Sequence, residues 1–330
     1  MKTIRWGIIG AGGIAERFAN ACKNTPGAEL AAIASRSLEK ANAFADRFGI
    51  EHRFGTYEDM AESDKIDAAY VATPHGLHGP NAILFMNKGK HILSEKPITV
   101  NAKELQKMID SAKENKVFLM EGMWPRLVPG VLKLLEIVES GQIGEVKGIE
   151  GRFCYEMSDE PDHHAFKPEF GGGSILDVGC YCLSFASWFI KSPVEEIKAV
   201  ADIGENNQVD EHACYLLKYE NGAMSSLTSA MMVKKPSDGH IFGTKGRIDV
   251  TGRFYAAENF TVHLYDGEST DYHMPFYGNG FEEEIMEANE CIRAGKLESD
   301  ILTHAQSMFI MEQMDAIRKI IGVKYPQDDQ

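Results

Sequence analysis

The chain has 330 residues, 44% hydrophobic and 25% charged, and a formal net charge of -15. This length exceeds the usual size of one hydrophobic core, so two domains are expected. The negative charge repels polyanions and argues against broad nucleic-acid binding, and no stretch reaches the ~20 apolar residues of a membrane span. The segment MKTIRWGIIG is too short and interrupted for a signal peptide, which predicts a cytoplasmic protein.

The first third of the chain alternates apolar runs with helical patterns. The runs that predict buried strands are TIRWGIIG, AELAAIAS, IDAAYVAT, KHILSE and VFLMEG. The helical patterns between them include ANAFADRFG, GPNAILFMNKG and NAKELQKMIDSAKENK. Alternation at these lengths forms βαβ units, which predicts an α/β fold with a doubly wound parallel Rossmann sheet over residues 1–121.

The remaining chain has a different pattern. One helix, VPGVLKLLEIVESG, leads into a strand, a glycine-rich loop and another helix, after which residues 194–265 resemble strands joined by tight turns. The segment YENGAM carries an Asn-Gly hairpin signal. We expect a second, substrate-binding α/β domain over 122–330, with a large, mostly antiparallel open sheet and closing helices. It is left open whether the C-terminal helix packs back on the first domain.

The segment IIGAGGIAERFA follows the first predicted strand and begins a helix. Gly10, Gly12 and Ala15 fill the three positions of the dinucleotide-binding fingerprint, with Gly13 and Ile14 between the last two. Gly10 permits the tight turn, Gly12 lets the backbone approach a pyrophosphate, and the helix N-terminus offers unpaired N–H groups. A glycine turn can also serve packing alone, but its place at the start of a βαβ unit predicts cofactor binding.

The second predicted strand ends in AIASRSLEK. An enzyme specialised for NAD usually has an acid here for the ribose 2′-hydroxyl, whereas Ser35, Arg36 and Ser37 suit a 2′-phosphate. NADP is therefore the expected cofactor, and NAD is the alternative because Glu39 lies nearby. Ser35 or Ser37 can also act as a helix cap, and both roles are compatible.

The predicted strand IDAAYVAT runs into the segment TPHGLHGPNA. The carboxyl ends of strands form the ligand crevice of a doubly wound sheet, so we expect Thr73, Pro74, His75 and His78 near the cofactor. The alternative for both histidines is a loop or helix-cap residue whose hydrogen bonds are satisfied locally.

In the segment LSEKPITV, Glu95 and Lys96 stand where the predicted strand KHILSE ends. Lys96 would then lie beside the nicotinamide half of the dinucleotide, as a point charge for a substrate oxygen or a neighbouring acid. The alternative is a solvated lysine paired with Glu95. Pro97 restricts Lys96 to extended geometry and admits a cis peptide bond, which favours a shaped site.

Four motifs occur in an order that is typical of one protein family: GAGGIA, TPHGLH, the triplet Glu95-Lys96-Pro97 and GGGSILDVGCYCLSF. Over essentially its whole length the chain resembles the glucose-fructose oxidoreductase, inositol dehydrogenase and MocA (Gfo/Idh/MocA) family. It looks closest to the branch containing dimeric dihydrodiol dehydrogenase and NADP-dependent xylose dehydrogenase. The resemblance implies a Rossmann domain followed by an open-sheet α/β domain, a small-molecule substrate, and often a homodimer formed through that sheet.

The resemblance also implies catalytic residues. The family's lysine corresponds to Lys96, and its Asp-x-Gly-x-Tyr motif runs from Asp177 to Tyr181, which makes Tyr181 the expected general acid/base. Asp177 and Tyr181 are four apart on a predicted helix and share a face, although an aromatic in such an apolar run could be a core residue. A buried acid requires a partner, so Asp177 is expected to orient Lys96 or bind a substrate hydroxyl.

Further residues are assigned by the same resemblance. Trp124 and Arg126, in EGMWPRL, resemble branch residues near the nicotinamide and phosphates, with packing at the domain junction as the alternative. Relatives often carry an arginine before the triple glycine, where DHHAFKPEFGGG offers His164 to the substrate. Lys167 could compensate for the missing fixed charge.

These residues predict hydride transfer between nicotinamide C4 and a secondary alcohol or carbonyl of a small polyhydroxylated substrate, such as a sugar, a sugar derivative or a trans-dihydrodiol. To act as a base near neutrality, Tyr181 needs a pKa roughly 3 units below its usual value of about 10, which corresponds to about 4 kcal/mol. The positive charges of Lys96 and of the oxidised nicotinamide would lower the pKa of Tyr181 in this way. The alternative is a non-catalytic dinucleotide-binding regulator of the same fold, which would need no acid/base pair.

The six cysteines show neither a zinc spacing nor a C-x-x-C pair, so reduced core cysteines are expected. His75-Gly-Leu-His78 and the loop SDEPDHHAFKPEF contain potential metal ligands without an established spacing. No metal is predicted.

Overall fold

The computed structural model describes residues 2–158, 160 and 162–329. The chain forms two compact units. The first contains the chain up to Trp124 together with Tyr277–Met308, and the second contains Pro125–Phe276 and the chain from Phe309 onward. The division near Trp124 is close to the predicted boundary between 121 and 122, but the sequence placed residues 277–308 in the second domain.

The first unit is built on a parallel sheet. Its strands are β1 (Ile4–Ile9), β2 (Ala28–Ala34), β3 (His52–Phe54), β4 (Ala68–Val71), β5 (His91–Glu95) and β6 (Leu119–Gly122). They are arranged in the order β3-β2-β1-β4-β5-β6 with every pair parallel. The order reverses between β1 and β4, which is where a doubly wound sheet opens its ligand crevice.

Helices cover this sheet. They are α1 (Gly13–Asn24), α2 (Leu38–Phe48), α3 (Tyr57–Glu62), α4 (His78–Met86) and α5 (Ala102–Asn115). Phe18 of α1 is fully buried and stacks on Tyr70 of β4, with ring centroids 3.8 Å apart. Asn101 caps α5, since its side chain accepts a hydrogen bond from the Glu104 N–H at 2.8 Å. The predicted Rossmann architecture is confirmed.

The second unit is built on a larger sheet. Its elements are α6 (Pro129–Glu139), β7 (Val146–Cys154), a π-helical turn (Ile175–Gly179), α7 (Cys180–Phe189), β8 (Val194–Ile203), β9 (Asp210–Tyr219), β10 (Met224–Ala230), β11 (Gly239–Gly243), β12 (Gly246–Val250), β13 (Asn259–Leu264) and β14 (Ser269–His273). The eight strands lie in the order β14-β13-β12-β11-β7-β10-β9-β8. Among the described strand pairs of this sheet only β7–β10 is parallel, so the predicted mostly antiparallel sheet is confirmed.

The predicted Asn-Gly hairpin joins β9 to β10. Gly222 has a φ of 79°, and its N–H donates to the carbonyl of Tyr219 at 2.8 Å. The two strands then pair in register, with Tyr215 opposite Leu227. The turn therefore needs glycine at the position with positive φ.

The last two helices are α8 (Glu282–Arg293) and α9 (His304–Ile321). α8 belongs to the first unit because its side chains bond to the parallel sheet; Trp6 Nε1 of β1, for example, donates to Asn289 Oδ1 at 3.1 Å. α9 begins in the first unit, where His304 Nε2 lies 2.9 Å from the carbonyl oxygen of Leu119, and continues in the second. No helix within the described residues is long and apolar enough to cross a membrane.

Candidate active site

The glycine turn after β1 has the shape that a dinucleotide needs. Gly10 has a φ of 101°, and a Cβ atom there would lie 2.8 Å from the carbonyl oxygen of Ala72. At Gly12 and Gly13, by contrast, an added Cβ would meet no described atom within 4 Å. The turn therefore has open space beside these two glycines, and no described side chain caps the start of α1. This arrangement fits a bound pyrophosphate.

The end of β2 combines a helix cap with an exposed cation. Ser37 caps α2, since its hydroxyl oxygen accepts from the Lys40 N–H at 3.3 Å. Ser35 is buried, and its Oγ lies 3.5 Å from the Ser37 nitrogen. Arg36 between them is exposed. The helix-cap interpretation is thus correct for Ser37, and it leaves the Arg36 guanidinium on the surface beside it.

The turn after β5 carries Lys96, which is half-buried and is followed by a cis peptide bond to Pro97. Glu95 is buried, accepts a hydrogen bond from the hydroxyl of Tyr70, and accepts a second from the Lys96 N–H at 3.1 Å. Burial raises the pKa of Glu95, whereas the Tyr70 bond and the charge of Lys96 oppose that rise. Glu95 therefore helps to hold the backbone of the turn.

His78 links the ends of two strands. The ring is fully buried, with Nδ1 2.9 Å from the Pro97 carbonyl oxygen and Nε2 2.7 Å from the Thr73 carbonyl oxygen. Asn81 adds a hydrogen bond to Thr73 Oγ1 at 3.2 Å. His75 is also buried, and its ring centroid lies 5.7 Å from that of His78. These contacts agree with the alternative interpretation of His78, in which the ring makes its hydrogen bonds with the backbone of neighbouring loops.

Asp177 and Tyr181 lie on different kinds of helix. The sequence predicts both on one helix, and the helical segment is continuous from Ile175 to Phe189, but Asp177 lies in its π-helical first turn and Tyr181 in the first turn of α7. The hydroxyl of Tyr155 donates to Asp177 Oδ2, and the Asp177 N–H donates to the Gly173 carbonyl at 3.1 Å. Tyr181 is only 8% exposed. The Tyr181 hydroxyl and the Asp177 carboxylate are the two groups expected for proton transfer and substrate binding.

Close packing requires glycine at the middle position of the Asp-x-Gly-x-Tyr motif. A Cβ atom on Gly179 would lie 2.9 Å from Tyr215 Oη and 3.3 Å from Ser229 Oγ. The turn can therefore approach β9 and β10 only if this position has no side chain.

Aromatic side chains surround Tyr181. Its ring centroid lies 5.5 Å from that of Phe153 and 4.9 Å from that of Tyr255, and Phe153 stacks on Tyr255 at 4.8 Å. The sequence prediction missed Phe153, Tyr155 and Tyr255. Phe153 and Tyr155 are two apart at the end of β7, a spacing that indicates one sheet face, whereas the turn with Tyr255 gave no signal.

The segment after β6 contains the predicted Trp124 and Arg126 in a 3-10 turn (Trp124–Leu127). Trp124 is buried, and its ring centroid lies 6.0 Å from that of Phe281, over which the Arg17 guanidinium also lies at 4.6 Å. Nε and Nη1 of Arg126 are buried without a hydrogen-bond partner among the described residues, and burial lowers the pKa of Arg126. A guanidinium with two buried N–H groups that lack a described partner is suited to an anionic ligand.

The loop before the triple glycine places His164 at the start of a 3-10 turn (His164–Phe166). The His163 ring lies 4.0 Å from the His164 ring, and its Nδ1 accepts from the Ala165 N–H at 3.2 Å. Residues 159 and 161 of this loop are outside the described residues. The described part of the chain contains no group of three His, Cys, Asp or Glu side chains arranged to hold a metal.

The expectation of core cysteines needs one correction. Five of the six cysteines are buried free thiols, but Cys214 is exposed. The reason is strand alternation, since Cys214 lies on the face of β9 opposite to the buried Ala213 and Tyr215.

Comparison with known proteins identifies the class. Residues 4–123 match the model of an oxidoreductase family with an NAD-binding Rossmann fold, and residues 131–249 match the GFO/IDH/MocA C-terminal domain. The chain therefore belongs to the Gfo/Idh/MocA family, as the motifs predicted, and is an NAD(P)-dependent dehydrogenase or reductase.

Individual relatives align with nearly the whole chain. Trans-1,2-dihydrobenzene-1,2-diol dehydrogenase of Mus musculus is 34% identical, over 98% of this chain and 99% of its own. The enzyme of the same name from Danio rerio is 32% identical, over 99% of each chain. Among solved structures, KijD10, a 3-ketoreductase from Actinomadura kijaniata in complex with NADP and TDP-benzene, has a TM-score of 0.89 and 26% identity, covering 97% of this chain and 98% of its own.

Proposed function

We propose that the protein is an NADP-dependent oxidoreductase that moves a hydride between nicotinamide C4 and a secondary alcohol or carbonyl carbon of a small polyhydroxylated substrate. The substrate class comprises sugars, sugar derivatives and trans-dihydrodiols, and the names of the relatives support this choice. The observation that carries the proposal is the position of Lys96. It follows β5 at the same edge of the parallel sheet as the glycine turn after β1.

In this proposal Tyr181 is the general acid/base and Lys96 assists it. During oxidation Tyr181 Oη accepts the substrate hydroxyl proton as the hydride leaves the carbon, and during reduction it returns a proton to the carbonyl oxygen. The bound nicotinamide accepts or supplies the hydride. The Lys96 ammonium favours the tyrosinate form, and Asp177 binds a second substrate hydroxyl or orients Lys96. His164 contacts the substrate from its loop.

The cofactor-binding residues follow from the same fold. Arg36 would pair with the 2′-phosphate, which is the basis for choosing NADP over NAD. The other proposed cofactor contacts are Gly10, Gly12, Gly13, Ile14, Ser35, Ser37, Thr73, Pro74, His75, His78, Glu95, Lys96, Trp124 and Arg126.

We further propose a homodimer formed through the eight-stranded sheet. Large apolar side chains lie exposed on strands of that sheet, with Val200 72%, Leu216 47% and Met224 51% exposed. The free thiols support a reducing compartment such as the cytoplasm. Sedimentation of wild type and of Leu216→Glu would test the dimer, which the charge should dissociate.

The decisive experiment is a dehydrogenase assay with NADP and NAD over sugars, polyols and vicinal diols. We expect turnover by the wild type, and a loss of roughly 100-fold or more in Tyr181→Phe with unchanged cofactor binding. Tyr265→Phe, an exposed tyrosine of the same unit, is the control. If Tyr181→Phe keeps full turnover, the acid/base assignment is wrong. Tight cofactor binding without turnover on any substrate would favour the regulator.

A further inference from the structure

The turn that carries Lys96 is held by side chains from two neighbouring elements. On one side, the carbonyl oxygen of Pro97 lies 2.9 Å from Nδ1 of the buried His78, at the start of α4. On the other, the N–H of Ile98 donates to Oε1 of Glu121, on β6, at 3.1 Å. The backbone next to Lys96 is therefore fixed to both α4 and β6.

Glu121 is the member of this arrangement that also carries charge. Its side chain is buried, and Oε2 accepts a hydrogen bond from Ser307 Oγ of α9 at 2.6 Å. Each carboxylate oxygen thus has its own donor, which suits the ionised form. The pKa of Glu121 is raised, because the effect of burial outweighs the lowering by its two hydrogen-bond donors and by the positive charge of Lys96. The electrostatic interaction with Lys96 adds to the bond that Glu121 makes with the turn.

In the sequence, Glu121 stands at the end of the apolar run VFLMEG. A buried acid in such a run has to be compensated by hydrogen bonds or a nearby cation. Glu121 accepts hydrogen bonds from the Ile98 N–H and the Ser307 hydroxyl, and Lys96 is the nearby cation. The burial of a purely structural carboxylate could be offset by donors anywhere in the fold. For Glu121 it is offset by groups at the proposed catalytic lysine.

We propose that Glu121 is a positioning residue for Lys96: it fixes the turn through the Ile98 N–H and stabilises the lysine as a cation. The inference rests on the proposed function, in which Lys96 assists Tyr181. Glu121 acts through Lys96 and has no contact of its own with substrate in this scheme.

Two substitutions separate geometry from charge. Glu121→Gln keeps an oxygen acceptor for the Ile98 N–H but removes the charge, so we expect kcat to fall less than about threefold while the Lys96-dependent limb of the pH profile moves to lower pH. Glu121→Ala removes both, and we expect a loss of roughly 10- to 100-fold in kcat. The matched control is Glu62→Gln, which removes an exposed carboxylate 3.0 Å from Lys88 Nζ.

A second measurement does not depend on turnover. The lysines are reductively dimethylated with ¹³C-formaldehyde and a borane reductant, the Lys96 signal is assigned by its absence in Lys96→Arg, and each variant is titrated by NMR. We expect the Lys96 midpoint to fall by about half a pH unit or more in Glu121→Gln and to stay unchanged in Glu62→Gln. An unchanged midpoint in Glu121→Gln overturns the proposal.

The two measurements distinguish the possible failures. If Lys96→Ala retains turnover while the Lys96 midpoint still falls in Glu121→Gln, the catalytic role of Lys96 is wrong and the positioning by Glu121 stands. If Lys96→Ala abolishes turnover but Glu121→Gln leaves both the Lys96 midpoint and the pH profile unchanged, Glu121 is only structural and the proposed function stands.

Discussion

Asp210 fixes the start of the π-helical turn, because its Oδ2 atom accepts a hydrogen bond from the Ile175 N–H at 2.7 Å. The same oxygen accepts from Ser174 Oγ at 2.8 Å, while Oδ1 is buried without a partner among the described residues. A Cβ atom on Gly173 would lie 2.3 Å from Oδ1. A carboxyl group on β9 thus determines where the turn with Asp177 begins.

The first prediction concerns the pH dependence of stability. Burial raises the pKa of Asp210 from 3.8 to about 6, so the folded state favours the protonated form. The stability that Asp210 contributes is complete below about pH 4 and is lost as the pH rises through about 6. Asp210→Asn keeps an oxygen acceptor and cannot ionise. We expect the unfolding free energy of this variant, relative to wild type, to increase by about 2 kcal/mol between pH 4 and pH 7.

Urea unfolding at several pH values measures this difference. The control is Asp266→Asn, which changes an exposed carboxylate of the same unit and should leave a constant offset from wild type. A pH-independent offset for Asp210→Asn as well would contradict the prediction.

The second prediction tests the glycine of the Asp-x-Gly-x-Tyr motif. Gly179→Ala would bring Cβ to 2.9 Å from Tyr215 Oη, and such overpacking typically costs about 1–3 kcal/mol of stability. We expect turnover to fall with it because Tyr181 is displaced. Adding Tyr215→Phe removes the clashing oxygen and should recover part of both losses. Thermal unfolding and initial rates measure the effects.

Gly148→Ala is the control for this pair, since its added Cβ would meet its nearest described atom at 3.5 Å, an ordinary contact. If Tyr215→Phe gives no recovery in the Gly179→Ala background, the steric explanation is incorrect.

The third prediction concerns the Tyr155 hydroxyl, which donates to Asp177. Hydrogen bonds to charged groups contribute about 1.5–3 kcal/mol, so Tyr155→Phe should reduce kcat/KM by roughly 10- to 100-fold if Asp177 acts on the substrate. Steady-state kinetics with the best substrate measure the loss. Tyr219→Phe removes a buried hydroxyl that pairs with Ser225 at 3.4 Å and should leave kcat/KM nearly unchanged. Equal losses in the two variants would indicate a general packing effect.

The fourth prediction concerns cofactor choice. Arg36→Asp replaces the exposed cation after β2 with a carboxylate, which repels a 2′-phosphate and accepts from a 2′-hydroxyl. We expect the Kd for NADP to rise by roughly 10-fold or more and the Kd for NAD to stay constant or fall. Calorimetric titration of both cofactors measures the change, with Lys107→Asp on the exposed face of α5 as control. Equal binding of NAD and NADP by the wild type would refute the preference.

The local features of the fold could be predicted from the sequence. The five apolar runs are strands, and the glycine turn lies between β1 and α1 as the fingerprint requires. Ser37 caps α2 and Gly222 makes the hairpin turn. These features depend on neighbouring residues and on the φ values that glycine permits, so a single segment contains the necessary information.

Other parts of the site could not be predicted in this way. Sequence patterning predicted one helix for Asp177 and Tyr181, but it did not predict the π-helical turn, which forms where Asp210 and Tyr215 of β9 pack against it. The motif names Asp177 but not its donor Tyr155, which is on another element. Similarly, nothing near Glu121 in the chain indicates that it would bond to the turn of Lys96.

The sequence by itself determined the class of the protein, because the cofactor turn, the strand ends and the family motifs are short segments whose chemistry is local. Only the tertiary structure decided which groups orient the reactive residues. Glu121 meets Ser307 across 186 positions and Asp210 meets Ile175 across 35. Buried carboxylates must find donors wherever packing brings them, and those partners are set by the whole fold rather than by the neighbouring sequence.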